Sequence, residues 1–247
     1  MIFDTVILYS IITSKRFVRI AALIPARGGS KSLKLKNIQS LNGRPLIYYS
    51  IKSAAEICDD VFISSDDKNI LAVANDFKCK TILRPSEYSN DTASTEIVLK
   101  HGANKIQFEN KYDAVLYLSA CEPLRPKGTI KKLLKKYLKK KETIDSLFFG
   151  RPTHRHYWSL NPELSSRPIM KWMNKYTPRQ NSKQRLLLES TGYGLLTLPK
   201  YWSEGKRFGG RCDWLEIPEN IPEVDIHSRI DIDLIEALTK INPKLLP

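Results

Sequence analysis

Apolar and polar positions alternate along the chain in a repeating pattern from Val18 onward. Short apolar runs predict buried strands, and the stretches between them, with apolar residues at helical spacing, predict helices. The predicted strands cover residues 20–24, 61–64, 81–83, 114–118, 147–150, 194–198 and 214–217. The predicted helices cover residues 46–57, 68–77, 95–106, 129–138 and 230–238.

This alternation predicts an α/β fold with a mostly parallel sheet flanked by helices on both faces. Ligands are then expected at the carboxyl ends of the strands. Residues 151–185 are rich in Pro, Arg, His and aromatic residues and show no period, which indicates an insertion. We therefore expect residues 18–247 to form one domain with an inserted arm at about 151–190, preceded by an extension at 1–17.

The apolar start of the chain, residues 2–12, is interrupted by Asp4 and has neither a basic region before it nor a small-residue cleavage site after it. It therefore resembles neither a signal peptide nor a membrane span, and no membrane span is expected. Four cysteines are widely spaced without a CxxC pair, which argues against a zinc site or a disulfide framework and favours a reducing, cytoplasmic location. They are Cys58, Cys79, Cys121 and Cys212.

The chain has 247 residues and a formal charge of +14, which favours an anionic partner such as a nucleic acid, a phosphorylated small molecule or an acidic membrane. Part of the excess lies in residues 131–141, where apolar residues at helical spacing leave the lysines on an outer face. We interpret this stretch as a solvated helix face rather than a nucleic-acid site.

Candidate chemistry begins with the sequence LIPARGGSK at residues 23–31, directly after the first predicted strand. Gly28 and Gly29 allow a tight turn with inward amides, and Arg27, Lys31 and Lys36 bring three cations to one place. The spacing differs from the dinucleotide and P-loop motifs. These residues alone are compatible with two interpretations, a phosphate-binding loop and an ordinary surface turn.

The sequence IPARGGSK at 24–31, followed by Lys36 and Asn37, resembles the opening motif of the acylneuraminate cytidylyltransferases, which make CMP-sialic acid and related CMP-nonulosonates. The likeness continues in order almost to the end of the chain. It includes GRPLI at 43–47, ISSD at 63–66, LRP at 83–85, DTAST at 91–95, PLR at 123–125, PRQ at 178–180 and VDI at 224–226.

The resemblance implies a Rossmann-like nucleotide-diphospho-sugar transferase fold, in which the inserted arm serves dimerisation and the sugar side. It also implies a Mg2+-dependent, usually homodimeric enzyme that condenses CTP with a nonulosonate and releases pyrophosphate. Attack of the sugar hydroxyl on the α-phosphorus depends mainly on positioning and charge neutralisation.

The resemblance assigns roles to individual residues. The nucleotide-binding set is Ala26, Arg27, Gly28, Gly29, Ser30, Lys31, Lys36, Asn37, Arg84 and Ser94. The sugar-binding set is Ser119, Arg125, Arg179, Gln180, Thr191 and Gly192. Arg27, Lys36 and Asp225 are the expected catalytic residues, and Asp225 is the expected Mg2+ ligand.

The sequence departs from the family pattern at several of these positions. The late motif Asp-Ile-Asp has His227 in place of its second aspartate, and imidazole is a poor Mg2+ ligand. Ser119 replaces a glutamine, and Glu189, in place of a basic residue, would repel a sugar carboxylate unless it meets an amine or a cation. These changes favour an unusual nonulosonate or weakened catalysis.

Alternatives to a CMP-nonulosonate synthetase are a catalytically weakened nucleotide-binding homologue, suggested by these departures, and a 3-deoxy-manno-octulosonate cytidylyltransferase. A metal pair at His154 and His156 is less favoured than polar residues lining a pocket or a contact. Asp231 and Asp233 are expected to open the last helix rather than to bind metal directly. CTP and the sugar are the expected partners, with no nucleic acid.

Overall fold

The computed structural model of the protein describes residues 18–30, 32–153 and 186–247. The strands are β1 Ile20–Pro25, β2 Ser40–Leu41, β3 Arg44–Pro45, β4 Asp60–Ser65, β5 Lys80–Leu83, β6 Ala114–Tyr117, β7 Ser146–Thr153, β8 Leu186–Glu189, β9 Leu195–Thr197 and β10 Cys212–Glu216. The α-helices are α1 Ile47–Ala54, α2 Lys68–Asp76, α3 Thr95–Ile106, α4 Phe108–Lys111, α5 Thr129–Lys140, α6 Pro199–Ser203 and α7 Arg229–Ile241.

The main sheet has the strand order β10-β7-β9-β6-β1-β4-β5 in the described part of the chain, and β8 pairs with β7 beside it. β1 lies in the centre and is parallel to both β4 and β6, with Leu23 opposite Phe62 on one side and Tyr117 on the other. The ends of β1, β4, β5 and β6 therefore meet at one edge of the sheet. This confirms the predicted α/β fold with a mostly parallel sheet.

Strand β9 differs from its neighbours because it runs antiparallel to both β6 and β7. Its apolar run predicts a buried strand, and all three of its residues are buried. Apolar periodicity carries no information on strand direction, so the sequence predicted the strand without its orientation. The turn before β9 brings residues 190–194 back to the edge where β6 ends.

The core divides between the two faces of the sheet, as the alternation of side chains along a strand requires. In β1, Ile20, Ala22 and Ile24 belong to one buried cluster, whereas Ala21 and Leu23 belong to the other. All five positions are buried, which explains why β1 is a continuous apolar run rather than an alternating one.

Helix α5 has the two faces that its sequence predicts. Ile130, Leu133 and Tyr137 are buried, and Lys136 and Lys140 form ion pairs with Asp213 at 3.1 and 2.7 Å. Within the described ranges, no helix has the length and apolarity needed to cross a membrane.

Candidate active site

The loop that follows β1 is anchored to the neighbouring strand end. The backbone N–H of Ala26 donates to the Ser64 carbonyl over 2.9 Å, and that of Gly28 donates to Asp66 Oδ1 over 3.0 Å. A Cβ on Gly28 would lie 2.6 Å from the Cβ of Asp67, so this approach requires glycine. The loop is thereby held at the carboxyl ends of β1 and β4.

Asn37 shapes this loop from within. Its side chain is buried, and Nδ2 donates to the Arg27 carbonyl over 2.9 Å. The Ser30 N–H donates to the Gly28 carbonyl over 3.0 Å, which closes a turn whose outer residue, Gly29, is exposed. The structure thus brings these expected nucleotide-binding residues together, and Lys31 lies outside the described residues.

Arg27 projects from the same loop toward the segment before α3. Its Nη1 lies 2.9 Å from Asp91 Oδ1 and 3.2 Å from the Asn90 carbonyl. Both side chains of the pair are partly exposed, so the pair contributes little stability and can open for a competing anion. Ser94 is exposed nearby in the chain and caps α3 by accepting the Ile97 N–H at 3.4 Å.

Arg84, just after β5, is a buried cation with unused donors. Its side chain is 3% exposed, and Nη2 lies 3.7 Å from Asp66 Oδ1, too far for a hydrogen bond. Neither Nε nor Nη2 has a hydrogen-bond partner among the described residues. Burial lowers the pKa of Arg84, and Asp66 opposes this shift. Unsatisfied buried donors at the ligand edge of the sheet favour a bound anion or carbonyl oxygen.

The late segment around Asp225 is joined to the short helical turn that begins at Lys36 and to the chain just after β6. Lys36 Nζ donates to the Ile226 carbonyl over 2.7 Å, and the Ile226 N–H donates to the Cys121 carbonyl over 3.0 Å. A further hydrogen bond joins Ser32 Oγ to the His227 carbonyl. The three expected catalytic residues, Arg27, Lys36 and Asp225, therefore lie on segments that meet at one edge.

Asp225 is half exposed and lies beside His227, with 3.2 Å between its Oδ2 and the imidazole Nε2. Burial raises the pKa of the Asp225 carboxyl, and His227 and Lys36 oppose that rise. No three His, Cys, Asp or Glu side chains of the described part lie close enough together to hold a metal ion. A single exposed carboxylate still fits Mg2+, which often binds through one or two carboxylates together with waters and substrate phosphates.

Asp231 caps helix α7, as expected. Its Oδ2 accepts hydrogen bonds from the backbone N–H groups of His227 and Ser228, at 2.9 and 2.7 Å, and from Ser228 Oγ. Together with the Ser228 side chain it forms a capping box, which fixes the direction of the segment that carries Asp225. Asp233 pairs with Arg229 on the exposed side of the helix.

A pocket of about 230 Å³ opens beside Asp225. Its walls include the expected sugar-side residues Thr191 and Gly192. Its charged lining residues are Glu122, Arg151, Glu189, Arg207, Glu223 and Asp225. Arg179 and Gln180, the other expected sugar-side residues, lie outside the described residues.

Arg125, an expected sugar-binding residue, is not among the residues that line this pocket. Its side chain is 0% exposed, and its guanidinium donates to Ser50 Oγ and to the carbonyls of Ser119, Gly192 and Tyr193 over 2.7–3.0 Å. These hydrogen bonds hold the backbone of the pocket wall in position, and sugar binding by Arg125 stays a prediction.

Ser119 is likewise absent from the pocket lining. Its Oγ accepts the Cys121 N–H over 3.2 Å, and its own N–H donates to the Gly192 carbonyl over 2.8 Å. Ser119 therefore stabilises the turn after β6, and its expected contact with a ligand stays a prediction.

Glu189 meets a cation, the condition under which a sugar carboxylate would not be repelled. Arg207 Nη1 lies 3.5 Å from Glu189 Oε1 and 3.1 Å from Thr191 Oγ1. The same guanidinium forms a closer ion pair with Glu96, at 2.9 Å. Arg207 thus neutralises two carboxylates and joins α3 to the pocket wall.

Glu122 is a pocket residue that the sequence reasoning missed. Its Oε1 lies 1.9 Å from where a Cβ on Gly192 would stand, so the carboxylate covers the Gly192 backbone. Burial raises the pKa of Glu122 to about 7, with Asp225 and Glu223 adding to the rise and Arg125 opposing it. A carboxylate directly after a buried strand was an available signal, whereas Arg207 belongs to no recognisable motif.

These features define an α/β nucleotidyltransferase fold with its site at the strand ends. A profile described as cytidylyltransferase matches residues 21–174, so the chain belongs to the cytidylyltransferase family.

The chain is 30% identical over 226 residues to a pseudaminic acid cytidylyltransferase of Campylobacter jejuni, covering 89% of this chain and 96% of that protein. It is 26% identical to an N-acylneuraminate cytidylyltransferase of Escherichia coli, covering 87% of this chain and 51% of that protein. A CMP-2-keto-3-deoxy-manno-octonic acid synthetase solved with CTP has the same fold, with a TM-score of 0.66, 16% identity and coverage of 90% and 99%.

The buried guanidinium of Arg125 predicts a large stability effect. Arg125→Met would remove the hydrogen bonds from the guanidinium to the carbonyls of Ser119, Gly192 and Tyr193, and we expect the free energy of unfolding to fall by about 3–5 kcal/mol. Urea unfolding measures this. Arg229→Met, at an exposed ion pair, is the matched control and should cost less than about 1 kcal/mol. Equal losses in the two variants would contradict the positioning role.

The capping box predicts a pH-dependent effect at Asp231. Its hydrogen bonds with His227 and Ser228 lower the pKa of Asp231 in the folded protein. Its contribution to the free energy of unfolding is therefore full above the pKa of the unfolded state and is lost as pH falls through the pKa of the folded state. Asp231→Ala should cost about 0.5–2 kcal/mol at neutral pH, and the difference from wild type should narrow below about pH 4. Urea midpoints across this range measure it. A difference that does not change with pH would argue against the charged cap.

Proposed function

We propose that the protein transfers the cytidylyl group of CTP to a nonulosonate and releases pyrophosphate. The observation that carries the proposal is the junction at Lys36, whose ammonium joins the cationic loop after β1 to the segment of Asp225 beside the pocket. Because the loop after β1 and the pocket share this junction, two substrates can meet there. The names of the relatives support CTP and a nonulosonate as those substrates.

In the proposed reaction, an oxygen of the sugar's anomeric hydroxyl forms a bond to the α-phosphorus of CTP while the bond to the β-phosphate breaks. The hydroxyl proton is lost and pyrophosphate leaves. The protein's part is to align the two substrates and to offset the phosphate charge. Arg27 exchanges its exposed pair with Asp91 for phosphate oxygens, and Arg84 supplies its unused donors.

Lys36 is suited to contact phosphate without leaving its protein partner. An ammonium has three donors, and only one is needed for the Ile226 carbonyl. The charge of Lys36 is thereby held beside the segment of Asp225, between the proposed nucleotide loop and the pocket. This placement favours the transition state, in which charge builds up on the pyrophosphate oxygens.

We propose that the reaction uses Mg2+ held by Asp225. When bound, Mg2+ neutralises phosphate charge and so lowers the repulsion toward an incoming oxygen. His227 supports the orientation of the carboxylate through its contact with Oδ2 but adds no negative charge. The homodimer implied by the resemblance and the cytoplasmic location stay predictions.

Lys36→Ala tests the proposed junction. With CTP, Mg2+ and a panel of nonulosonates, the wild-type protein should release pyrophosphate, and the variant should lose about 100- to 1,000-fold in kcat/KM. Lys132→Ala removes an equal charge from the exposed face of α5 and should leave turnover unchanged. An unchanged rate in Lys36→Ala would remove the junction from the mechanism. No turnover with any sugar, despite CTP binding, would favour the catalytically weakened homologue.

The metal proposal predicts a change in Mg2+ requirement at Asp225. Excess chelator should abolish turnover and Mg2+ should restore it, and Asp225→Asn should raise the half-saturating Mg2+ concentration about 10- to 100-fold. His227→Asp, which adds a second carboxylate, should lower it. Asp233→Asn, at an exposed pair on α7, is the control. Turnover in excess chelator, or equal Mg2+ curves for the two aspartate variants, would contradict the proposal.

A further inference from the structure

The pocket beside Asp225 has a charge pattern that a simple sugar acid does not require. Most of its charged lining residues are acidic, in a chain whose overall charge is +14. Some of these charges are already paired within the protein. The lining charges that have no partner within the protein indicate which charged groups a ligand would carry.

Two acidic residues of the lining have partners. Glu189 faces Arg207, and Arg207 is in turn bound more closely to Glu96, at 2.9 Å. Asp225 faces His227 at 3.2 Å and lies in the field of Lys36. Each of these two carboxylates therefore already has a side-chain partner within the protein.

Glu122 and Arg151 differ from them. Neither side chain makes a hydrogen bond or a close ion pair with any described residue, although the two attract each other through the pocket. Glu122 is held in place by packing, because its carboxylate lies over the backbone of Gly192. The Arg125 guanidinium attracts this carboxylate, but its hydrogen bonds go to Ser50 Oγ and three carbonyls and none goes to Glu122. Among the described residues, the lining therefore presents two carboxylates without a partner, the exposed Glu223 and the partly buried Glu122, and one such guanidinium to the same space.

We propose that this pocket recognises a zwitterionic sugar acid, in which Arg151 binds the carboxylate and Glu122 binds a cationic nitrogen substituent, an amine or an amidine. The inference rests on the proposed function and narrows its substrate class. A neutral acylamino group offers Glu122 one N–H donor and no charge. A cationic nitrogen offers a charge-assisted hydrogen bond, which is roughly twice as strong.

The raised pKa of Glu122 agrees with this arrangement, because a carboxyl group left without a donor in a partly buried, acidic setting resists ionisation. A cationic ligand adds positive charge and supplies the hydrogen-bond donor that neither Arg125 nor Arg151 gives to Glu122. The cavity is smaller than the range of about 300–1,000 Å³ typical of pockets that enclose a whole ligand. It therefore suits one substituted face of a larger sugar.

The test compares two nonulosonates that are identical except for one nitrogen substituent, a cationic acetimidoyl group in one and a neutral acetyl group in the other. Binding of each sugar is measured by calorimetry in chelator, and turnover with CTP is measured with Mg2+. The wild-type protein should bind the acetimidoyl sugar about 10- to 100-fold more tightly, with the same preference in kcat/KM.

Glu122→Gln keeps the shape of the side chain and removes its charge, so the preference should fall to within about threefold while thermal unfolding stays the same. Arg151→Gln should weaken binding of both sugars and preserve the ratio. Glu142→Gln, which makes the same charge change at an exposed surface position, should alter nothing.

Equal binding of the two sugars by the wild-type protein, or an unchanged ratio in Glu122→Gln, would overturn the inference even if both sugars are turned over. A binding preference that depends on Glu122, without pyrophosphate release from any sugar, would support the pocket inference and overturn the proposed function instead. The two failures are thereby distinguished.

Discussion

The guanidinium of Arg125 is the interaction on which the site depends. It has no exposed surface and donates to oxygens from α1, from the end of β6 and from the turn before β9. A buried cation is unfavourable unless its donors are satisfied, so these segments are held wherever the guanidinium can reach all of them. The turn that carries Thr191 and Gly192 is thus fixed to the strand end that carries Glu122. The buried guanidinium of Arg125 therefore holds these segments together as one wall of the pocket.

A second set of contacts fixes the opposite side of the site. Lys36 and Ser32 both donate to backbone carbonyls of the late segment, which also donates to Cys121. These are contacts to main-chain atoms, so they set the path of the segment without depending on its side chains. That independence explains how His227 can stand where the resemblance has an aspartate, with Asp225 still directed toward the pocket. The substitution changes the charge beside Asp225 and leaves these main-chain contacts in place.

The fold was largely predictable from the sequence because its strands are buried on both faces and its helices are amphipathic. Helix α3 has the predicted bounds, since Ser94 caps one end and the apolar spacing covers the rest. The direction of β9 was not predictable, because a buried strand has the same apolar pattern in either orientation. The pocket was predicted only in part. Arg125 belongs to the PLR motif, but its burial depends on tertiary packing that the motif does not specify. Arg207 belongs to no motif, and it pairs with Glu96 and Glu189 from a loop.

Charge acts at two ranges in this molecule. The net charge of +14 includes the lysines on the outer face of α5, and such an excess attracts anionic ligands over about one Debye length. It cannot distinguish CTP from a sugar acid, because both are anions. At contact distance the charge is divided: the loop after β1 carries the cation Arg27, whereas the lining of the pocket is mostly acidic. Long-range attraction of a ligand and discrimination between ligands are therefore separate properties. The net charge attracts any anion, whereas binding in the pocket also requires a ligand that is compatible with its carboxylates.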